Sequence, residues 1–340
     1  MWKTNGHKFA IDSLSSSMRR GRLSHAYLLN GPEGIGKKTL ALDIACFVNC
    51  TDTAENRPCG SCSQCERILV GNHTDIFIYD PESSEGNSDL VTIDQLRNDF
   101  LKQIHRKPFE GRCRVFIIVA LEKMRSEQAN ILLKTLEEPP GDVIIILLTE
   151  QIDDLLDTVI SRCQVFTLRP LTTSEVTKYV DSYGSDLETN FSTADIKEIC
   201  RLARGRIGWA SRVIDDPQIL NNRRVLLDKY ESAIFGELSD RFDLSKDVVN
   251  GFGKNRKKAV ECLDLWLTWW RDALLVKSGL KDDILNISRI DRFERVASLI
   301  EFQDLISIIK SLRMTFIYLE KNMNTGLLFD NLMLRIPFMR

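Results

Sequence analysis

The feature that most constrains this chain is a short apolar run, AYLLN, that ends in the glycine-rich turn GPEGIGKKT and passes directly into the helical pattern LALDIACFV. A strand that feeds a helix through so tight a turn needs a long crossover before its next parallel neighbour, which is the arrangement of an α/β sheet. Further runs extend the pattern. IFIYD at 76–80 reads as a second strand, and RVFIIVA at 114–120 and VIIILLT at 143–149 are short, branched and continuous, as strands buried on both faces require. FAIDSLSSSMRRGRL and TIDQLRNDFLKQI read as helices, and so does SEQANILLKTLEE, which Pro139 and Pro140 stop because proline has no N–H to donate. Helices alternating with continuous apolar strands predict a parallel sheet covered on both sides.

After VFTLRP, near residue 170, the strand signal ends and the remaining pattern is helical, beginning with TSEVTKYVDSY and ADIKEICRLA. The 340 residues exceed one ordinary domain. The shift in pattern predicts an α/β domain at 1–168, a small helical unit at 169–211 ending near RGRIGWA, and a larger all-helical domain at 212–340. Hydrophobic residues at 43% and charged residues at 28% describe a folded globular chain and exclude a disordered or fibrous one. The 46 basic and 48 acidic residues leave a net charge of -2, so any nucleic-acid contact must come from local patches. No apolar run is long enough to span a bilayer, and MWKTNGHKFAIDS lacks the basic-then-apolar order of an export signal. The expectation is a cytoplasmic protein with no membrane partner, whose nine cysteines stay reduced.

The turn Gly31-Pro-Glu-Gly-Ile-Gly-Lys37 fits the first seven of eight places in the phosphate-binding loop G-x-x-x-x-G-K-[ST], with Gly31, Gly36 and Lys37 at the motif's fixed places and Gly34 within it. The eighth place, where a hydroxyl would ligate Mg²⁺, holds Lys38, and Thr39 lies about 100° further round the helix. A second defect follows RVFII. Val119 and Ala120 stand where an Asp-Glu pair would hold the metal and polarise water, and Glu122 comes two residues later with its side chain expected to point elsewhere. The chain is therefore expected to bind ATP weakly or not at all, and not to hydrolyse it alone.

Cys50, Cys59, Cys62 and Cys65 follow a C-x8-C-x2-C-x2-C spacing within 50–65, with Pro58 and Gly60 turning the chain beside the ligands. Four thiolates at that spacing suit a closed, structural Zn²⁺ site, and the overlapping C-x-x-C repeats argue against a redox pair. Cys46, one helical turn before Cys50, is the reserve ligand, and His73 is a fifth candidate set against an ordinary loop histidine. Cys46, Cys113, Cys163, Cys200 and Cys262 otherwise read as small buried hydrophobes.

SHAYLLNGPEGIGKKTLA, the Cys50–Cys65 insert, ANILLKTLEEPP, VIIILLTE and TVISRCQ together resemble the bacterial clamp-loader AAA+ proteins over about the first 170 residues. LWLTWWRDALLVKSG and NMNTGLLFDNLMLRI resemble the helical collar of the same family, so the resemblance covers nearly the whole chain. It implies a P-loop AAA+ domain with a zinc-binding insert, a small helical lid domain and an all-α collar that assembles with other subunits. Within the family the resemblance implies that the defects at Lys38, Val119 and Ala120 place this chain among the subunits that do not hydrolyse ATP and not with the hydrolysing gamma or tau type. The family's Ser-Arg-Cys triplet falls on Ser161, Arg162 and Cys163, which implies that Arg162 is an arginine finger for a neighbour's ATP. Thr149 matches a polar sensor position, and Trp209 follows Gly208 where ATP-binding members carry arginine, with Arg204 and Arg206 nearby. The implied partners are gamma or tau ATPase subunits, the delta subunit, the sliding clamp and primer–template DNA. For DNA the candidate contacts are Arg97, Lys102 and Arg106, with Lys254, Arg256, Lys257 and Lys258 as a basic helix start. Trp266, Trp269 and Trp270 at i, i+3, i+4 read as a packing stripe for the collar interface.

Overall fold

The computed structural model describes residues 1–340 except 54, 81–99, 125, 186–190, 253–255, 322 and 340. Five strands, β1 (Ala26–Asn30), β2 (Ile76–Tyr79), β3 (Arg114–Ile118), β4 (Val143–Thr149) and β5 (Gln164–Thr167), form one all-parallel sheet in the order β2-β3-β4-β1-β5. The three most continuous apolar runs are β1, β3 and β4, the inner strands. All of β3 and β4 and four of the five residues of β1 are buried.

Alternation along each strand divides its side chains between two cores. Tyr27 and Leu29, Val115 and Ile117, and Ile144, Ile146 and Leu148 face one layer with α1 (Lys8–Arg19), α2 (Lys37–Asn49) and α3 (Ser63–Val70). Ala26 and Leu28, Phe116 and Ile118, and Ile145 and Leu147 face the other, with Leu132 and Leu136 of α4 (Ser126–Glu137). This two-unit period, with both faces apolar, is why the strands read as unbroken hydrophobic runs.

Contacts group the described residues into two units. The first comprises Met1–Tyr179 and Arg204–Trp209, and the second Val180–Ala203 and Ala210–Arg340. Helices α5 (Thr173–Ser185) and α7 (Ile207–Asp215) contribute to both, and α6 (Thr193–Leu202) belongs to the second. A reciprocal cap opens α6: the Ser192 hydroxyl accepts from Asp195 N at 3.1 Å, and the Asp195 carboxylate accepts from Ser192 N at 3.0 Å.

The rest of the second unit is α8 (Gln218–Phe235), α9 (Leu238–Phe252), α10 (Arg256–Lys277), α11 (Ile290–Leu299), α12 (Phe302–Glu320) and α13 (Thr325–Arg335). The tryptophan stripe of α10 lies inside this unit's own core: Trp266, Trp269 and Trp270 are all buried, and Trp266 stacks on Tyr230 at 4.7 Å. Their polar edges are satisfied within the unit, Trp269 Nε1 donating to Glu231 at 2.9 Å and Trp270 Nε1 to the Tyr230 hydroxyl at 2.5 Å. The interface role expected of the stripe is thereby corrected, because a buried indole with a satisfied N–H has nothing left to offer a partner. No helix among the described residues is long and apolar enough to cross a membrane.

A buried polar device fixes the first unit. Asp75, fully buried just before β2, accepts from the backbone N–H of Phe109, Glu110 and Gly111 at 2.8–3.0 Å and pairs with Arg114 Nε at 3.3 Å. Burial pushes its carboxyl upward, but the three N–H donors and Arg114 outweigh it and hold the pKa below the usual carboxylate range. In Asp75→Ala the buried Arg114 keeps its bonds to Gln103 but loses its carboxylate counter-ion, and urea unfolding at neutral pH is expected to show a loss of about 3–5 kcal/mol. Because the folded-state pKa is depressed, the Asp75 contribution is complete above the unfolded carboxylate value. It disappears as pH falls through the folded one, so the gap between wild type and variant narrows in acid.

Candidate functional site

The strand order reverses at β1, so the turn that leaves it lies at the switch point where α/β sheets bind ligands. Gly31 N donates to Thr149 O at 3.1 Å, and Leu168 N to Asn30 O at 2.7 Å, joining the ends of β4, β1 and β5. A Cβ at Gly31 would lie 2.6 Å from the Leu168 carbonyl oxygen, so only glycine passes there. Gly36, at φ 109°, then turns the chain into α2. The opposite side of the turn is closed by Gly208, whose N–H donates to Gly34 O at 2.7 Å. A side chain at 208 would meet that oxygen at 2.9 Å. His7 adds a ring nitrogen 3.0 Å from Ile35 O.

Lys37 folds back on its own loop. Its ammonium donates to Gly31 O and, at 3.1 Å, to Pro32 O, with a Glu150 carboxylate oxygen 4.0 Å away. Burial lowers the Lys37 pKa despite the opposing pull of Glu150, Glu122 and Glu33, and burial likewise raises that of Glu150. Lys38, at the eighth place, pairs with Asp80 at 2.9 Å, and Thr39 is exposed. The place of a magnesium-ligating hydroxyl thus carries a paired cation.

At the end of β3 the chain turns sharply, with Ala120 at φ 52°, into the short turn Leu121–Lys123. That turn changes the aim of Glu122. Its carboxylate reaches the tip of β4 and accepts from the Thr149 hydroxyl at 2.7 Å. Thr149 is fully buried, and its hydroxyl also bonds the backbone of Gln151.

The cysteine insert brings Cys50, Cys59, Cys62 and Cys65 together, with all four sulfurs within 4.8 Å of one another. Cys50 Sγ and Cys62 Sγ are 3.9 Å apart, and Cys59 Sγ and Cys65 Sγ 4.0 Å. A tetrahedron with metal–sulfur bonds of about 2.3 Å has edges of about 3.8 Å, so the four thiols fit a tetrathiolate metal ion. Cys62 caps the N-terminus of α3, where Cys65 N reaches its sulfur at 3.5 Å. Burial opposes ionisation, but the N–H donors of Cys65 and Thr51 prevail and bring the Cys62 thiol down to about 6. Cys46 stands outside the set. It is buried with its sulfur 3.8 Å from the Cys65 carbonyl, and burial, then Asp43, push its thiol up to about 12. His73 is likewise no ligand: it pairs with Gln64 and accepts from Asp75 N at 3.1 Å.

Arg162 lies in the turn between the short helix Asp157–Ile160 and β5. Its guanidinium, about one-third exposed, donates to Thr158 O at 2.8 Å and to Glu137 Oε1 at 2.8 Å. Cys163 beside it packs inward, and burial pushes its thiol up to about 11. Of the basic residues proposed for DNA, Lys102 and Arg106 are exposed, and Arg97 and Lys254 lie outside the described residues, as do the side chains of Arg256, Lys257 and Lys258. Trp209 is half-buried, and Arg204 adopts φ 49° in the turn before α7. Sequence reasoning missed Asp80, Glu150 and Glu137. Each is an ordinary acidic residue whose partner is distant in the chain, so the segments that hold them could be singled out without showing which side chains meet.

The family model described as DNA polymerase III, delta subunit, matches residues 6–172. The chain is 30% identical over 277 residues to the DNA polymerase III subunit delta' of Bacillus subtilis, covering 80% of this chain and 78% of that protein. It is 38% identical over 144 residues to the delta' subunit of Pseudomonas aeruginosa, covering 42% of this chain and 43% of that one. Similarity of 28% over 239 residues extends to the tau/gamma subunit of Haemophilus influenzae, with 70% of this chain matched to only 34% of the longer relative.

Metal removal tests the cysteine centre. Cys59→Ser is expected to lose most of its bound metal to a chelator concentration that leaves the wild type loaded, as elemental analysis of the dialysed proteins would show. Cys46→Ser, which removes only a buried thiol, is expected to keep its metal.

Proposed function

This chain belongs to the family of DNA polymerase III clamp-loader subunits, and we propose that within it the protein is a delta-prime-type subunit that does not hydrolyse ATP itself. It assembles with gamma or tau ATPase subunits and the delta subunit, lends Arg162 to a neighbour's ATP, and so supports placing the sliding clamp on primer–template DNA. The observation that carries this reading is the state of the phosphate loop. Lys37 is spent on Gly31 O and Pro32 O, Lys38 holds Asp80 where a metal ligand should stand, and β3 runs into Val119 and Ala120 without a carboxylate. Phosphoryl transfer depends almost entirely on positioned charge, so losing metal and water-orienting groups together removes the reaction.

Arg162 supports the second half of the reading. It is the arginine of the Ser-Arg-Cys triplet, and its guanidinium is partly open to solvent while still anchored. An arginine donated across a subunit boundary stabilises charge developing on the transferred phosphate and keeps its own charge at any working pH. The metal in the insert we take to be zinc, as the four thiolates and closed geometry favour, with a structural role. The division into an AAA+ domain at 1–168, a lid at 169–211 and a collar at 212–340 is part of the same proposal.

One observation favours a second reading, an active gamma- or tau-like ATPase. Glu122 does reach the tip of β4, where its charge acts on Lys37, so a carboxylate stands near the loop after all. ATP hydrolysis separates the two. The purified chain is expected to show no turnover that Lys37→Ala abolishes, and such turnover would establish the motor instead. In the reconstituted complex, Arg162→Ala is expected to slow hydrolysis at the adjoining site by about 10³- to 10⁵-fold, measured as steady-state phosphate release. A wild-type rate would remove the finger role.

A further inference from the structure

We infer that Glu137, in the last turn of α4, is the positioning residue for Arg162, holding its guanidinium on the protein surface in the pose it presents to a neighbouring subunit. The inference rests on the reading of Arg162 as a finger acting in trans. It adds that the aim of the finger is set by this chain before any neighbour arrives.

The backbone beneath Arg162 is fixed by short-range bonds, Arg162 N to Val159 O at 3.2 Å and Cys163 N to Ile160 O at 3.1 Å. Val159 is buried on one side and Cys163 packs inward on the other, so Arg162 leaves the turn outward. An arginine side chain leaving a surface turn has many rotamers, and delivery to a phosphate would require all but one to be given up. Two anchors remove that freedom: Nη1 on Thr158 O and Nη2 on Glu137 Oε1, both at 2.8 Å. A guanidinium has five N–H groups, so three remain after these two bonds, enough for the paired donation that a phosphate accepts. The anchors therefore need not break for the finger to act.

Glu137 is itself held where this task requires. Leu132 and Leu136 bury the preceding turn of α4 against the sheet, and Pro139 and Pro140 end the helix immediately beyond it. A carboxylate in the last turn of a helix is opposed by the helix dipole, so local helix stability does not favour an acid there. The pair also contributes little to folding, because Glu137 is half-exposed and Arg162 one-third exposed. An exposed contact of low stabilising value at an unfavourable helix position is better accounted for by the orientation it imposes on Arg162.

The test uses the reconstituted complex with its ATPase subunits, measuring kcat and KM for ATP with Glu137→Ala, Glu137→Gln, Arg162→Ala and the Glu137→Ala/Arg162→Ala double variant, each confirmed to assemble. Glu137→Ala is expected to lower kcat by about 10- to 100-fold with KM unchanged, since small misplacements of a catalytic group cost rates of that order. Glu137→Gln, which keeps an accepting oxygen, is expected to recover most of the loss. In the Arg162→Ala background the Glu137 change should have no further effect. A wild-type or faster rate in Glu137→Ala, or an equal loss with Arg162 already absent, overturns the positioning role while leaving the finger intact. Arg162→Ala at the wild-type rate overturns the finger reading itself, and the two failures are thereby told apart.

Discussion

The architecture of the first unit depends on β1 being paired along both edges, with β4 on one side and β5 on the other. A central parallel strand carries its C-terminal turn to the point where neighbouring strands also end. The glycine loop, Thr149 of β4 and Leu168 after β5 meet there because the ladder places them together: Asn30 is in register with Thr149 and Thr167. The close approach of Gly31 to the Leu168 carbonyl is a consequence of that pairing, and so is the exclusion of any larger residue at 31.

Within that frame, the groups of the loop are turned toward each other. Lys37 meets carbonyls of its own turn and Glu150, Lys38 meets Asp80, and Thr149 meets Glu122. Lys37, Lys38 and Thr149 each find a partner within this chain, which offsets the cost of desolvating them. The cysteine insert follows a different logic. It packs Cys59 and Cys62 against the core that includes α2 while leaving four sulfurs facing one another, a set that could hold a metal ion.

The tryptophans of α10 show how far a residue pattern can be read. The i, i+3, i+4 stripe established that one face of the helix is apolar, and it is. The pattern carried no information on whether a neighbouring helix of the same chain or another subunit covers that face, because both present the same chemistry. Tyr230, Glu231 and Phe329 lie 36 or more positions away or on later helices and decided it. Glu122 illustrates the same limit in the backbone: its place in the chain was known, but its bond to Thr149, beyond a turn with positive φ at Ala120, was not legible from it.

Local sequence determined the strand–loop–helix order, the inner strands and the four-cysteine set, because periodicity, glycine and closely spaced thiols act over a few residues. It also singled out Arg162, through the triplet it belongs to. Tertiary structure decided that Cys50 and not Cys46 faces the other sulfurs, that Glu122 bonds Thr149, and that Glu137 holds Arg162. Those are contacts between residues distant in sequence, whose geometry exists only after the sheet has set strand register and the helices have been packed against it.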